Sequence, residues 1–284
     1  MPLLVSYSRL VSCVYRWIWL GRIDSEPPKI PPGSIVFAAH YNGAIDGFTY
    51  GSQLPRFLAV TSVQWHRHMI GRLLVPGISV QRAKDGVSGA HNLAAFRNIV
   101  GHLRAGDRVL FFPEGTSRLG LERLPIQPGT LLLLRQLRRV AISPAIFFAA
   151  AHYHQPTHWR SSVNIAWVGP RELPPSSAGD AAWVSAGLWE AQAAAQARLV
   201  SPPSRLTWLA PLVALPFLPA WWLVASLARR TADEDNVIAL WKFIFGVPVT
   251  LLTLGILTFL SLLLGGPWWL PLVSLIGGWL LWKE

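Results

Sequence analysis

The sequence predicts an α/β fold, a mixed sheet flanked by helices, with an apolar helical region at the C-terminus. Three observations point there. Short apolar runs bounded by Pro and Gly alternate with longer stretches of three- and four-residue apolar spacing, the pattern of strands interleaved with helices. Three of the apolar runs lead into His40, Arg82 and Glu114, and in open α/β sheets the chemistry collects outside the carboxyl ends of strands. Beyond residue 203 the chain turns almost wholly apolar.

Residues 1–27 read as an N-terminal amphipathic helix with the first strand. Leu3, Tyr7, Leu10, Val14 and Ile18 recur at helical steps, with Arg9 and Arg16 on another face. A link rich in Pro and Gly follows, and a domain over 28–203 is expected to hold the chemistry. Its strands are expected at 34–39, 57–60, 78–80, 109–112, 140–148 (around Pro144) and 163–168. Ser88 as N-cap and Gly106 as stop signal bracket a helix carrying Leu93, Phe96, Val100 and Leu103 on one stripe. Residues 131–137 and the Ala-rich stretch 181–200 are two further helices.

The segment 204–284 is read as membrane-embedded. Its apolar stretches lie near 206–227, 243–264 and 268–282. A spanning helix needs about 20 apolar residues. The first stretch is interrupted by Pro211, Pro216 and Pro219 and is expected to re-enter and leave on one side. The second is the best spanning candidate, and the third would close a hairpin with it.

Composition agrees. Charged residues are 14% of the chain, against about a quarter in an average soluble protein, and many of the 15 Trp sit near the ends of apolar runs. Net charge is +11, and residues 201–284 hold five basic against four acidic side chains, so the excess falls on the first two hundred residues. Such a charge suits an anionic membrane surface with phosphorylated lipids, and no zinc-finger or RNA-binding spacing supports nucleic acid. Cys13 is the single cysteine, which excludes an intramolecular disulfide and thiolate-rich metal sites. His152, His154 and His158 have no carboxylate near them in sequence, so no metal is expected. The N-terminus lacks a signal-peptide pattern, and the catalytic part is expected to face the cytoplasm, at a bacterial inner membrane.

The segment Phe112-Pro113-Glu114-Gly115-Thr116-Ser117-Arg118 places a carboxylate, two hydroxyls and a guanidinium on one loop. Arg can grip phosphate oxygens in a fork, and Gly lets the backbone approach closely. His40 and Asp46 supply a base and a carboxylate to orient it. An imidazole of intrinsic pKa near ~6.5 suits deprotonation of an alcohol at neutral pH, and a carboxylate on its other nitrogen fixes the tautomer. Arg82 leads the cations able to meet a phosphate, with Lys84 and Arg118 as helpers and Thr116 and Ser117 as hydroxyl donors.

These blocks resemble the glycerolipid acyltransferase superfamily, typified by 1-acyl-glycerol-3-phosphate acyltransferase. The likeness runs from about Trp17 to Pro170 and keeps the family's order: His40…Asp46, then Gly77…Arg82, then the Pro113-Glu114-Gly115 turn, then Pro144. It implies that His40 and Asp46 are catalytic and that Glu114 and Gly115 shape an acceptor pocket. It implies acyl-CoA or acyl carrier protein as co-substrate and a phosphorylated glycerolipid as acceptor, without cofactor or metal. Five residues separate His40 from Asp46 where the common pattern has four; Asn42 fits the subgroup with the longer spacing. The first expected acceptor is 1-acyl-glycerol-3-phosphate. The alternatives are glycerol-3-phosphate or another lysolipid, or a non-catalytic lipid-binding membrane protein.

Overall fold

The computed structural model describes residues 2–40, 42–64, 77–81, 89–120, 122, 124–198, 209–232 and 234–281. Arg82, Lys84 and the Ser88 cap lie outside the described residues. Strands β1 (Ile23–Ser25), β2 (Ile35–Ala38), β3 (Phe57–Ser62), β4 (Gly77–Val80), β5 (Arg108–Phe111), β6 (Ile146–Tyr153) and β7 (Val163–Arg171) form one sheet. Among the described residues its order is β1-β7-β6-β2-β5-β3-β4. Strands β2 to β6 run parallel, β7 returns antiparallel to β6, and β1 pairs parallel with β7 at the edge. The sheet is therefore mixed.

Alternation along the strands sends side chains to two cores. Val36, Ala38, Ala149 and Ala151 face α1 (Pro2–Trp19) and α2 (Asp46–Gly51), where Tyr15, Trp19, Phe48 and Tyr50 are buried. Ile35, Phe37, Phe111 and Phe148 face the other way. They meet Phe96 and Ile99 of α3 (Gly89–Arg104), Leu133 and Leu137 of α4 (Pro128–Arg139), and Val184 and Leu188 of α5 (Asp180–Ala197). Each large apolar side chain buried this way contributes about 1.5–3 kcal/mol.

Two local expectations change. Strand β6 covers Ile146–Tyr153, not 140–148. Val140 caps α4 and Ala141 turns the chain at φ 52°, while Pro144 offers no N–H to a strand paired on both sides. The six-residue α2 was not foreseen, because a helix this short leaves no apolar period to read.

The C-terminal stretches form helices. The prolines divide the first into α6 (Ala210–Val213), a 3₁₀ turn at Leu215–Phe217, and α7 (Leu218–Thr231). Helix α8 (Ile238–Leu263) has 26 residues and is long and apolar enough to cross a membrane. It has two parts. Ala239, Leu240 and Phe243 are buried in the core that holds Tyr15, whose ring lies 5.3 Å from that of Phe243, whereas Leu251, Leu252, Ile256 and Phe259 are exposed. Helix α9 (Leu270–Leu281) folds back, with Ser274 donating to the Val213 carbonyl and Trp279 lying 5.1 Å from Trp17.

Candidate active site

The register of the parallel strands assembles the site. Phe37 of β2 pairs with Phe111 of β5, so His40 and Glu114, each three residues further on, leave the sheet side by side. Ala38 pairs with Ala149 of β6, and β6 continues to Tyr153. All of these residues sit at the carboxyl edge.

Backbone bonds join the first and third blocks. The Arg118 N–H donates to the His40 carbonyl at 3.3 Å, and the Gly43 N–H donates to the Arg118 carbonyl at 3.1 Å. Asn42 and Leu119 form an isolated antiparallel bridge there. Gly43 takes φ +67° and Gly115 φ +64°, left-handed conformations costly for a side chain. At Gly115 a Cβ would also lie 2.7 Å from Cγ of Gln127, so a larger residue would have to displace that side chain as well. The Pro113 carbonyl accepts from the Gln127 N–H and the Thr130 hydroxyl, fixing the turn on the first residues of α4.

His40 Nδ1 lies 3.1 Å from Oδ2 of Asp46. The same oxygen accepts from the Asn42 backbone N–H at 2.8 Å, and Oδ1 accepts from the Tyr153 hydroxyl at 2.7 Å. Asp46 has no solvent exposure, and these three donors offset the cost of burying its charge. The imidazole stacks on Phe112, with centroids 4.3 Å apart and an interplanar angle of 24°. Nδ1 is committed to Asp46, which leaves Nε2 as the ring nitrogen able to accept a proton.

Glu114 is buried. Its Oε1 accepts from Arg118 Nη2 and from the Leu124 N–H, both at 3.2 Å, and its Oε2 has no hydrogen-bond partner among the described residues. Burial pushes its carboxyl above the ordinary value; Arg118, the Leu124 N–H and nearby His40 oppose that rise without cancelling it. A buried carboxylate–guanidinium pair thus stands beside the His40–Asp46 pair.

The structure brings His40, Asp46, Asn42, Glu114, Gly115 and Arg118 together. Thr116 and Ser117 are half-buried on the same turn. Asn42 has no solvent exposure, and its amide donates to the Pro156 carbonyl at 2.6 Å, so it anchors the 155–158 loop behind the dyad. Strand β4 ends at Val80, and the backbone N–H and carbonyl of Gln81 both bond to the side-chain amide of Asn92. Arg82 and Lys84, the expected phosphate contacts, follow outside the described residues. Sequence reasoning missed Tyr153, Thr49 and Phe112. Tyr153 carried no signal, since its partner lies 107 residues away. Phe112 stands at the start of the Pro113-Glu114-Gly115 turn but reads in sequence as ordinary strand filling.

No family model matches the chain, and no curated protein matches it in sequence. Among solved structures, the chain is similar to the crystal structure of the 1-acyl-sn-glycerophosphate (LPA) acyltransferase PlsC from Thermotoga maritima. The TM-score is 0.49 at 12% identity, covering 70% of this chain and 82% of that one.

Proposed function

We propose that this chain is a membrane-associated O-acyltransferase. It moves a fatty acyl group from a thioester, acyl-CoA or acyl carrier protein, to a hydroxyl of 1-acyl-glycerol-3-phosphate. The observation that carries the reading is the His40–Asp46 pair: Nδ1 held at 3.1 Å by a fully buried carboxylate, at the carboxyl edge of a largely parallel sheet. Nε2 of His40 takes the proton from the acceptor hydroxyl as its oxygen attacks the thioester carbonyl. The tetrahedral intermediate collapses with loss of the C–S bond, and the imidazolium returns the proton to the departing thiolate. The Asp46 carboxylate stabilises the imidazolium in between. No nucleophilic Ser or Cys is needed.

Arg82 and Lys84 are assigned here to the acceptor phosphate, with Arg118, Thr116 and Ser117 in support. The assignment rests on their residue types and on the order of the blocks. Exposed Leu and Trp side chains on α7, α8 and α9 support membrane anchoring. A cytoplasmic catalytic domain rests on Arg229 and Arg230, the basic end of α7, which favour the inner face. The test is purified protein assayed with labelled acyl thioesters against a panel of lysolipids and glycerol-3-phosphate. Transfer to 1-acyl-glycerol-3-phosphate that is lost in His40→Ala supports the reading. Transfer to none of the acceptors, or full activity in His40→Ala, overturns it.

A further inference from the structure

Asp46 is held from two directions. Oδ2 faces His40 and the Asn42 N–H within its own loop; Oδ1 faces Tyr153, at the end of a strand 107 residues later. Alternation along β6 puts Ala149, Ala151 and Tyr153 on one face, and α2 packs against it. The Tyr153 hydroxyl lies 2.7 Å from Asp46 Oδ1 and 2.8 Å from Thr49 Oγ1. One hydroxyl has one proton, and a carboxylate can only accept. Tyr153 therefore donates to Asp46 and receives from Thr49. The alternative acceptor for Thr49, the Ile45 carbonyl, is further away at 3.4 Å.

Packing does not explain this hydroxyl. Phe147 and Phe148 fill the same strand without one, and a phenyl ring would fit position 153 as well. What a phenyl ring cannot do is satisfy Oδ1. Tyr50 does not substitute, because its hydroxyl donates to the Ala39 carbonyl at 2.9 Å.

We propose that Tyr153, backed by Thr49, is a positioning residue for the His40–Asp46 pair: its hydroxyl fixes the plane of the Asp46 carboxylate and shares its charge, and thereby sets how strongly His40 holds a proton. This deepens the reading above and rests on it for its catalytic meaning. With the Oδ1 donor present, negative charge is drawn away from the oxygen that faces His40. Without it, the carboxylate is more basic and holds the imidazolium more tightly. Tyr153 remains a donor throughout any working range, because burial, with the Asp46 charge next in weight, pushes its phenol well above the ordinary value. Among the described residues, the titratable groups facing the pair are Tyr15 from α1, Tyr50 from α2, Tyr153 from β6, and Glu114 with Arg118 from the turn after β5. Lys242 of α8 lies further back, donating to the Thr157 carbonyl. Tyr153→Phe leaves all the other groups in place.

The experiment titrates His40 by NMR in full-length, histidine-labelled protein in micelles, with His40→Gln to assign the signal. The expected result is a rise in the His40 midpoint of about half a unit or more in Tyr153→Phe, a fraction of one lost hydrogen bond to a charged group, since His40 feels only the part that differs between its neutral and protonated forms. The acidic limb of kcat/KM should move up by the same amount, with the acceptor KM unchanged. Thr49→Val, which keeps the Tyr153–Asp46 bond and removes only its support, should give a smaller shift in the same direction. An unchanged His40 midpoint in folded Tyr153→Phe overturns the proposal. If Tyr153→Phe does not fold, an unchanged midpoint in Thr49→Val does so. The titration needs no turnover, so an absence of acyl transfer would sink the proposed function while leaving this result readable.

Discussion

His40 Nδ1 and Asp46 Oδ2 stand 3.1 Å apart, and the carboxylate behind that contact is sealed from solvent. No water can replace a lost donor or acceptor there. Asp46→Asn keeps the shape and removes the charge. Its amide oxygen can still accept from the Asn42 N–H, and its NH₂ can turn to Tyr153, whose hydroxyl can accept instead. The fold should survive, while the imidazolium loses its counter-charge. We expect kcat to fall about 10²–10⁴-fold with a thermal midpoint close to that of the parent. Steady-state kinetics alongside a melting curve checks this. A variant that melts early and is inactive would point to a structural Asp46 instead.

The Glu114 carboxyl titrates above its ordinary value of 4.5, mainly because it is buried. Between the unfolded and the folded value the native state holds more protons than the unfolded one, so this group's contribution to stability is lost as pH rises through that window. Glu114→Gln removes the titration. Melting wild type and Glu114→Gln side by side from about pH 4.5 upward should therefore show wild type losing ground against the variant as pH rises. A difference in midpoint that stays constant over that range would mean that the carboxyl titrates alike in both states.

Much of this architecture was legible in the chain, for physical reasons that differ by element. Strand β5 could be read because four consecutive residues are buried or nearly so and a Pro–Gly turn ends them. Helix α4 could be read because Leu133, Leu134 and Leu137 fall on one face. His40 and Glu114 stood out because each follows a strand, at the carboxyl edge where an α/β sheet collects its chemistry. By contrast, β6 ends in Ala149-Ala150-Ala151-His152-Tyr153, a run with little β-branched or aromatic bias, and Pro144 drew the expected strand too early. The second support of Asp46 was illegible in principle, since only the pairing of Ala38 with Ala149 brings Tyr153 to α2. The apolar C-terminus announced itself, but its docking did not: Leu240 and Phe243 look no different in sequence from Leu251 and Phe259, although the first two are buried and the others exposed.

Arg138 offers a control far from the chemistry. Its guanidinium reaches both oxygens of Asp180 at 2.6 and 2.8 Å and donates to the carbonyls of Pro174 and Ser176. Asp180 is only 4% exposed, so Arg138→Met would strand a buried carboxylate at the start of α5. The Arg138 guanidinium is half-buried, so breaking the pair costs less than the about 3–5 kcal/mol of a fully buried one. We expect a clear fall in the thermal midpoint, with activity per folded molecule unchanged. Arg138→Met/Asp180→Asn should recover part of the loss, because no uncompensated charge then remains. No recovery would place the stabilisation in the two carbonyl contacts.

Two truncations separate the roles of α8. A chain ending after Val247 retains Ala239, Leu240 and Phe243 in the core with Tyr15 and Phe48, and keeps the Lys242 bond to the Thr157 carbonyl. A chain ending after Ala232 loses all of them and opens the core beside α2, which carries Asp46. Removing a buried Leu and Phe sacrifices about 1.5–3 kcal/mol each, which in a domain of this size lowers the melting temperature by on the order of 10 °C. The longer truncation product should therefore melt much closer to the full chain and retain the His40 titration, while coming off membranes more readily in an alkaline wash because the exposed Leu and Trp side chains beyond Leu251 are gone. The shorter product should lose both stability and activity. Equal melting of the two products would mean that the first turns of α8 contribute nothing to the core that holds Tyr15 and Phe48.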